Sequence, residues 1–540
     1  RRSANYTPTV WNNNYLQTLE SEFIGMECAA RLEKLKSEAK SLIAGTTSLV
    51  EKLELVDTLR QLGLAYHFEE EIMDVLAAIL QSADLDSVAR QLDGLHATAL
   101  LFRLLREHGF EISQDIFRWF HDETTGGFKA CITRDIKGLL SFYEASYVAI
   151  EEENIMDDAR EFTTKHLKDF IENSTEPWLR ERALHALELP LNWRFQRLHS
   201  RWFIDMYERG TDTNLCLLEL AKLDFNIVQG VYKTEIRQLS KWWADLDLIG
   251  DKLSFARDRL LECYLWAAGG SPEPESWRCR QVFTKCICLA TIIDDIYDVY
   301  GTLEELELFT KAVERWEVSA IEQLPDYMKI CVLALFNTFN EIAYKTLKEK
   351  GLDIIPFLRK AWSDLCNAYL VEAKWYYKGH SPPFGEYLEN AGISIGEHLI
   401  LTLAFFVNDY VSVESVERFK AYQSLMCWSG IIVRLYDDLA TSEAEGERGD
   451  VSKAIQCYMH ETGASEVMAS MFIRDMIADK WKILNKDRKA STKHEKYFKS
   501  VAINSVQTAQ WSYQHGDGFG EPQHRTKDTI LALLVEPILL

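Results

Sequence analysis

Between Cys286 and Tyr300 the chain reads CICLATIIDDIYDVY, an apolar run that turns acidic at Asp294, Asp295 and Asp298 before Gly301. On a helix Asp294 and Asp298 stand one turn apart on a shared face, with Asp295 rotated about 100° away. Carboxylates crowded in this way repel one another unless a cation sits among them. A second cluster follows the largely apolar stretch Trp428 to Val433. In YDDLATSEAE, Asp437, Thr441 and Glu445 fall at i, i+4 and i+8, a stripe of three oxygen donors. Oxygen-only donors suit a hard cation such as Mg²⁺, which takes about six oxygens, keeps several waters and binds through one or two carboxylates plus substrate phosphates. Either cluster alone could equally be a solvated acidic face, with Thr441 bonding back to its own helix. Two half-sites around a diphosphate account for both at once.

A chain with net charge −23 binds phosphate only where local cations overturn its field. Arg257 and Arg259 precede the first cluster, Arg434 stands just before the second, and Lys453 follows it. Guanidinium groups offer paired donors to phosphate oxygens, although each of these residues taken singly is more often a surface ion pair. There is no GxxxxGK[ST] loop, which excludes a P-loop enzyme. The balance of 60 basic against 83 acidic residues disfavours a nucleic-acid partner. Eleven cysteines, an odd number without a metal-knuckle spacing, read as reduced and mostly buried thiols of an intracellular protein. The longest apolar stretches, such as Leu399 to Val407, fall far short of the ~20 residues of a membrane span.

The elements that must position these residues are helices. Apolar residues recur at three- and four-residue steps through Leu49, Leu53, Val56 and Leu59, through Ile72, Val75, Leu76 and Ile79, through Leu100 to Leu105 with Gly109 as a C-terminal cap, and through Leu220, Leu223, Ile227 and Val231. No sustained alternation of strand type and no fixed repeat interrupts them, so the predicted fold class is all-α. A polar break at Arg209 to Asn214 separates two helical domains, residues 1–213 and 214–540. Gly- and Pro-rich stretches at 269–274, 378–383, 445–450 and 516–520 are candidate loops around a site.

Four motifs in this order resemble those of the plant class I terpene synthases, of the monoterpene synthase type. They are Arg1-Arg2 followed after eight residues by Trp11, Arg257-x-Arg259, Asp294-Asp295-x-x-Asp298, and Asp437-Asp438-x-x-Thr441-x-x-x-Glu445. Prenyl diphosphate synthases share the DDxxD motif but carry a second aspartate-rich motif where this chain has DDLATSEAE. The resemblance spans essentially the whole chain. It implies a C-terminal class I terpene synthase fold behind a relict N-terminal helical domain. It implies further that Asp294 and Asp298, supported by Asp295, bind Mg²⁺ on one rim and that Asp437, Thr441 and Glu445 bind it on the other. Three Mg²⁺ ions are expected, with Mn²⁺ as a substitute, and Arg257, Arg259, Arg434 and Lys453 hold the diphosphate. Trp266, Tyr513 and Phe519 match positions that line the cavity, with Asp517 in a closing loop, and Arg1, Arg2 and the segment after them cover its mouth. No DxDD appears, the nearest strings being Asp84-Leu85-Asp86-Ser87 and Asp245-Leu246-Asp247-Leu248. Protonation-initiated cyclisation is therefore not expected.

Thr291, Ala290 and Ile287 lie on the face of Asp294 and are expected to look into the cavity. By the resemblance, Asn at the Ile287 position accompanies oxygenated products, whereas Ile points to a hydrocarbon. Isoprene synthases carry Phe at the Ile287 and Val433 positions and Asn at that of Lys453. The expected activity is thus ionisation of geranyl diphosphate to a monoterpene, a cyclic hydrocarbon, plus diphosphate. The alternatives are a C15 synthase on farnesyl diphosphate, an isoprene synthase on dimethylallyl diphosphate, and a helical scaffold that only binds prenyl diphosphate. A monomer is expected. The resemblance carried by Arg1-Arg2 and Trp11 also implies a plastid location; the chain opens without Met or an apolar signal core, so any targeting peptide is expected to precede it.

Overall fold

The computed structural model describes residues 6–540 apart from 83–91, 93, 123, 251, 449–450, 521 and 523, and only the backbone of 82 and of 442–448. Arg1, Arg2 and the Asp84 to Ser87 string lie outside the described residues, as does the side chain of Glu445. The all-α expectation holds, because nearly every element is a helix. Among the described residues the exception is a small antiparallel strand pair, His121–Asp122 with Gly127–Phe128. Its turn is made by Asp122, whose Oδ1 accepts from Thr124 N–H at 2.9 Å, and by Gly126 at φ +71°. Polar turn residues gave the sequence pattern no alternation to register.

The apolar spacings become buried stripes. Leu53, Val56 and Leu59 are buried on the Leu49–Gln61 helix, and Leu100 to Leu105 are buried on Leu95–Glu107, which is followed by Gly109 at φ +79°. All eleven cysteines are free thiols and most are buried. No single described helix is long and apolar enough to cross a membrane. The helices Phe384–Ser394 and Glu397–Val407 reach that length only together, across a 40° bend.

The chain divides into two compact units, and the division differs from the one expected at 213/214. One unit runs to Ser21 and resumes over Gln229–Lys480 and Ser491–Glu536; the other comprises Glu22–Val228, Trp481–Ala490 and Pro537–Leu540. The polar break does separate two helices, Gln196–Glu208 and Leu215–Leu246. The division falls further on because the second of these is a single 32-residue helix that belongs partly to each unit. In the Glu22–Val228 unit, Leu139, Leu140, Tyr143, Leu167, Ala183 and Ala186 form a buried cluster, and Arg103 is buried against Asp57 at 2.5 Å. The other unit carries both acidic clusters.

Candidate active site

The Trp277–Asp295 helix presents Phe283, Ile287, Ala290, Thr291 and Asp294 to one cavity of about 380 Å³. Steps of four, three, one and three residues make one stripe of a 3.6-residue helix. After Asp295 the backbone loosens into a π-helical turn, Ile296–Tyr300, which carries Asp298 into the same cavity. Gly301 ends it because a Cβ there would stand 2.5 Å from Leu306 Cδ2 and 2.8 Å from the Ile296 carbonyl.

The three aspartates are not equivalent. Asp294 and Asp298 line the cavity, while Asp295 is fully buried behind them. Its Oδ2 accepts the Arg257 N–H at 2.7 Å, and its Oδ1 pairs with the Arg257 guanidinium at 2.8 Å. Burial pushes the Asp295 carboxyl up to about 6 against the pull of that guanidinium. The same guanidinium donates to Asp294 Oδ2 at 2.6 Å and carries the Tyr6 ring 4.8 Å away.

The Gln423–Arg448 helix repeats this arrangement. It sends Val433, Arg434, Asp437 and Thr441 to the cavity and turns Asp438 into the core. There Asp438 Oδ2 accepts from the Tyr387 hydroxyl at 2.6 Å and from Ala454 N–H at 3.0 Å. Arg434 pairs with Asp437 at 2.7 Å and is steadied by the Ala391 carbonyl and Ser394 Oγ. The Tyr513 hydroxyl donates to Asp437, and burial holds it far above the ordinary range of a phenol. Thr441 decides between an ordinary helix threonine and a ligand. Thr284, Thr291, Thr310, Thr346, Thr402 and Thr508 all donate to the carbonyl one turn back. Among the described residues Thr441 Oγ is buried with no hydrogen-bond partner.

Among the described residues no three carboxylate, imidazole or thiol groups converge into a closed metal site. Asp294 and Asp298 form one open half-site; Asp437 and Thr441 form the other, on a helix that extends through Glu445. Oxygen-only donors, an unpartnered hydroxyl and room for a phosphate-bearing substrate between them fit Mg²⁺. Lys453 also lines the cavity, as do Trp266, Tyr513 and Phe519, with the Trp266 ring meeting the other two edge-on at 6.0 and 6.2 Å. The loop after Tyr513 turns at Gly516, φ +108°, and Asp517 Oδ1 holds it by accepting from Phe519 and Gly520 N–H.

Arg259 corrects the expectation. Its side chain does not reach the cavity. It is 2% exposed, and it donates to the carbonyls of Thr7 at 2.8 Å, Gly520 at 2.9 Å and Asp258 at 2.9 Å. It thereby ties the N-terminal segment to the loop that holds Phe519, and Trp11 Nε1 adds a bond to Glu262 at 3.2 Å. Tyr6, Tyr369, Glu372, Glu397 and Ser505 also line the cavity and were not singled out by spacing. For Glu397 a signal existed, a lone acid between Gly396 and an apolar run.

Two family models match the chain: "Terpene synthase, N-terminal domain" over residues 10–187 and "Terpene synthase family, metal binding domain" over 244–483. The chain belongs to the terpene synthase family. This terpene synthase is 49% identical to a chloroplastic myrcene synthase of Quercus ilex, covering 100% of this chain and 90% of that one. It is 48% identical to a (−)-alpha-terpineol synthase of Vitis vinifera, covering 100% and 91%. Among solved structures it matches limonene synthase with 2-fluorolinalyl diphosphate at TM-score 0.95 and 39% identity, over 100% of both chains. It also matches grey poplar isoprene synthase, in complex with three Mg²⁺ ions and dimethylallyl-S-thiolodiphosphate, at TM-score 0.89 and 43% identity, over 98% and 99%. The metal-binding model spans both acidic motifs. This terpene synthase is accordingly a metal-dependent lyase.

Proposed function

We propose that this terpene synthase ionises geranyl diphosphate and converts it to a monoterpene hydrocarbon plus diphosphate. The observation that carries the reading is one cavity with oxygen donors and arginines at both acidic motifs and, elsewhere on its wall, apolar and aromatic side chains that include Phe283, Ile287, Val433, Trp266 and Phe519. Asp294 and Asp298, and Asp437 with Thr441 and Glu445, would hold three Mg²⁺ ions, with Mn²⁺ as a substitute. When bound, the metal supplies positive charge that stabilises the departing diphosphate. Arg257 and Arg434 supply fixed donors to the same oxygens, each oriented by its carboxylate partner, and Lys453 adds a third cation. Trp266, Tyr513 and Phe519 offer aromatic surface to the carbocation left behind, and the apolar walls keep water from it.

The C10 substrate is supported by the cavity's size, near the lower end for ligand pockets. Ile287 and Val433 leave room that a pair of phenylalanines would fill. Two relatives are named for the products myrcene and (−)-alpha-terpineol, both C10 compounds. We infer a plastid location from the relatives whose names carry "chloroplastic", and a monomeric enzyme. The test is product analysis by gas chromatography and mass spectrometry after incubation with geranyl, farnesyl and dimethylallyl diphosphate, each with Mg²⁺ and with chelator. Metal-dependent C10 products from the geranyl substrate are expected. Turnover confined to another chain length would overturn the substrate, and no turnover of any would favour the scaffold alternative.

A further inference from the structure

Besides the acids at the two metal motifs, the cavity wall carries Glu397. Gly396, at φ +83°, turns the chain after the Phe384–Ser394 helix so that Glu397, the first residue of the Glu397–Val407 helix, faces the cavity. Glu397 is 4% exposed, and its Oε1 has no hydrogen-bond partner among the described residues. The Ser505 hydroxyl bonds the carboxyl. Glu372, also on the wall, is by contrast satisfied, since its Oε1 accepts from Ser394 at 2.5 Å and Asn390 at 3.1 Å.

Glu397 stands deep in the cavity, away from the metal motifs. Its partner Ser505 comes before Tyr513 by eight residues of one helix, about 12 Å of rise. Ser505 Oγ lies 3.5 Å from where a Gly270 Cβ would be, and Gly270 ends the helix that begins at Leu260, beside Arg257 and Arg259, about 15 Å away. A buried carboxyl oxygen without a partner costs stability. Here it belongs to a residue of the wall around the space where a carbocation would form.

We propose that Glu397 is the proton acceptor that ends the carbocation reaction, an inference that rests on the function proposed above. A C–H bond beside the cationic carbon breaks, its electron pair becomes the new C=C bond, and the proton ends on Glu397 Oε1, turning carboxylate into carboxylic acid. That proton passes to solvent after the product leaves. A carbocation is a far stronger acid than any carboxylic acid, so placement rather than base strength decides which proton is lost. Burial pushes the Glu397 carboxyl up to about 8, so the carboxylate form that accepts the proton is populated as pH rises toward and through that value.

The test compares wild type, Glu397→Gln and Glu397→Asp for diphosphate release from geranyl diphosphate and for product composition. Gln keeps the shape but cannot take the proton; Asp keeps the carboxylate but shortens it. Glu397→Gln should release diphosphate within about threefold of wild type while the share of the principal olefin falls at least tenfold, and Glu397→Asp should retain more of that olefin than Gln does. An unchanged product composition in Glu397→Gln would overturn the proposal. So would loss of diphosphate release, or Asp proving more disruptive than Gln, since both mark a packing role. Should wild type turn over only another allylic diphosphate, the substrate reading fails by itself, and the same comparison is made with that substrate.

Discussion

At the scale of single residues, each acidic pair splits into a cavity-facing and a buried carboxylate, and the two should fail differently. Asp294→Asn removes an oxygen ligand from a half-exposed position, so turnover should drop at least a hundredfold with the thermal unfolding temperature nearly unchanged. Asp295→Asn leaves Arg257 buried against a neutral group, and breaking a buried pair costs about 3–5 kcal/mol. The enzyme should therefore unfold several degrees lower. Equal melting temperatures for the two variants would refute the division of roles. Thr441→Val supplies the complementary case. Because Thr441 Oγ makes no hydrogen bond among the described residues, the substitution should leave stability intact but raise the Mg²⁺ concentration for half-maximal activity about tenfold, as a Mg²⁺ titration of steady-state turnover would show. An unaltered titration curve would remove Thr441 from the ligand set.

At the scale of elements, what could be read from the sequence was whatever depends on helical period. The stripe from Ile287 through Ala290 and Thr291 to Asp294 follows from spacing alone, and so does the placement of Asp295 off that face, which the π-helical turn after it does not disturb. The destination of Arg259 was not legible. Its partners, Thr7 and Gly520, lie about 250 residues away in either direction and offer backbone carbonyls, which carry no residue-type signal. Glu397 escaped for a related reason, since one acid at a helix start is ordinary until the helix is known to begin inside a cavity. The arrangement around Arg259 makes a prediction. Arg259→Lys cannot span both carbonyls, so the Tyr6 to Trp11 segment and the Phe519 loop lose their common tie and water reaches the cavity. Products bearing a hydroxyl should rise several-fold relative to olefins, whereas Arg257→Lys should chiefly slow ionisation. An unchanged alcohol fraction in Arg259→Lys would show that the tie is dispensable.

At the scale of the molecule, the unit that contains none of the cavity responds to pH through a buried histidine pair. Gln61 Nε2 donates to Asp57, which leaves Gln61 Oε1 as the acceptor for His199 Nε2–H at 3.2 Å. Neutral His199 must then accept at Nδ1, from His185 Nε2–H at 3.1 Å, while the His185 ring stacks on Trp202 at 3.4 Å. Burial drives His185 down to about 2 and His199 well below the usual range. The unfolded chain takes up these protons near pH 6.5 and the folded chain does not, so folding is favoured fully above 6.5 and loses on the order of 1.4 kcal/mol per histidine for each unit below it, down to the folded value. Glu144 acts in the opposite sense: burial pushes it up to about 7, so it favours the fold below the unfolded carboxylate range and loses that contribution as pH rises through 7. The net slope is a difference between the two effects, and a variant isolates one of them. His185→Leu removes a titrating group, so its melting temperature should be lower at pH 7.5 yet fall less between pH 7 and 5 than that of wild type, followed by circular dichroism on the full chain. Parallel slopes would mean that the pair is protonated in the folded state and that the tautomer chain from Gln61 to His185 does not form.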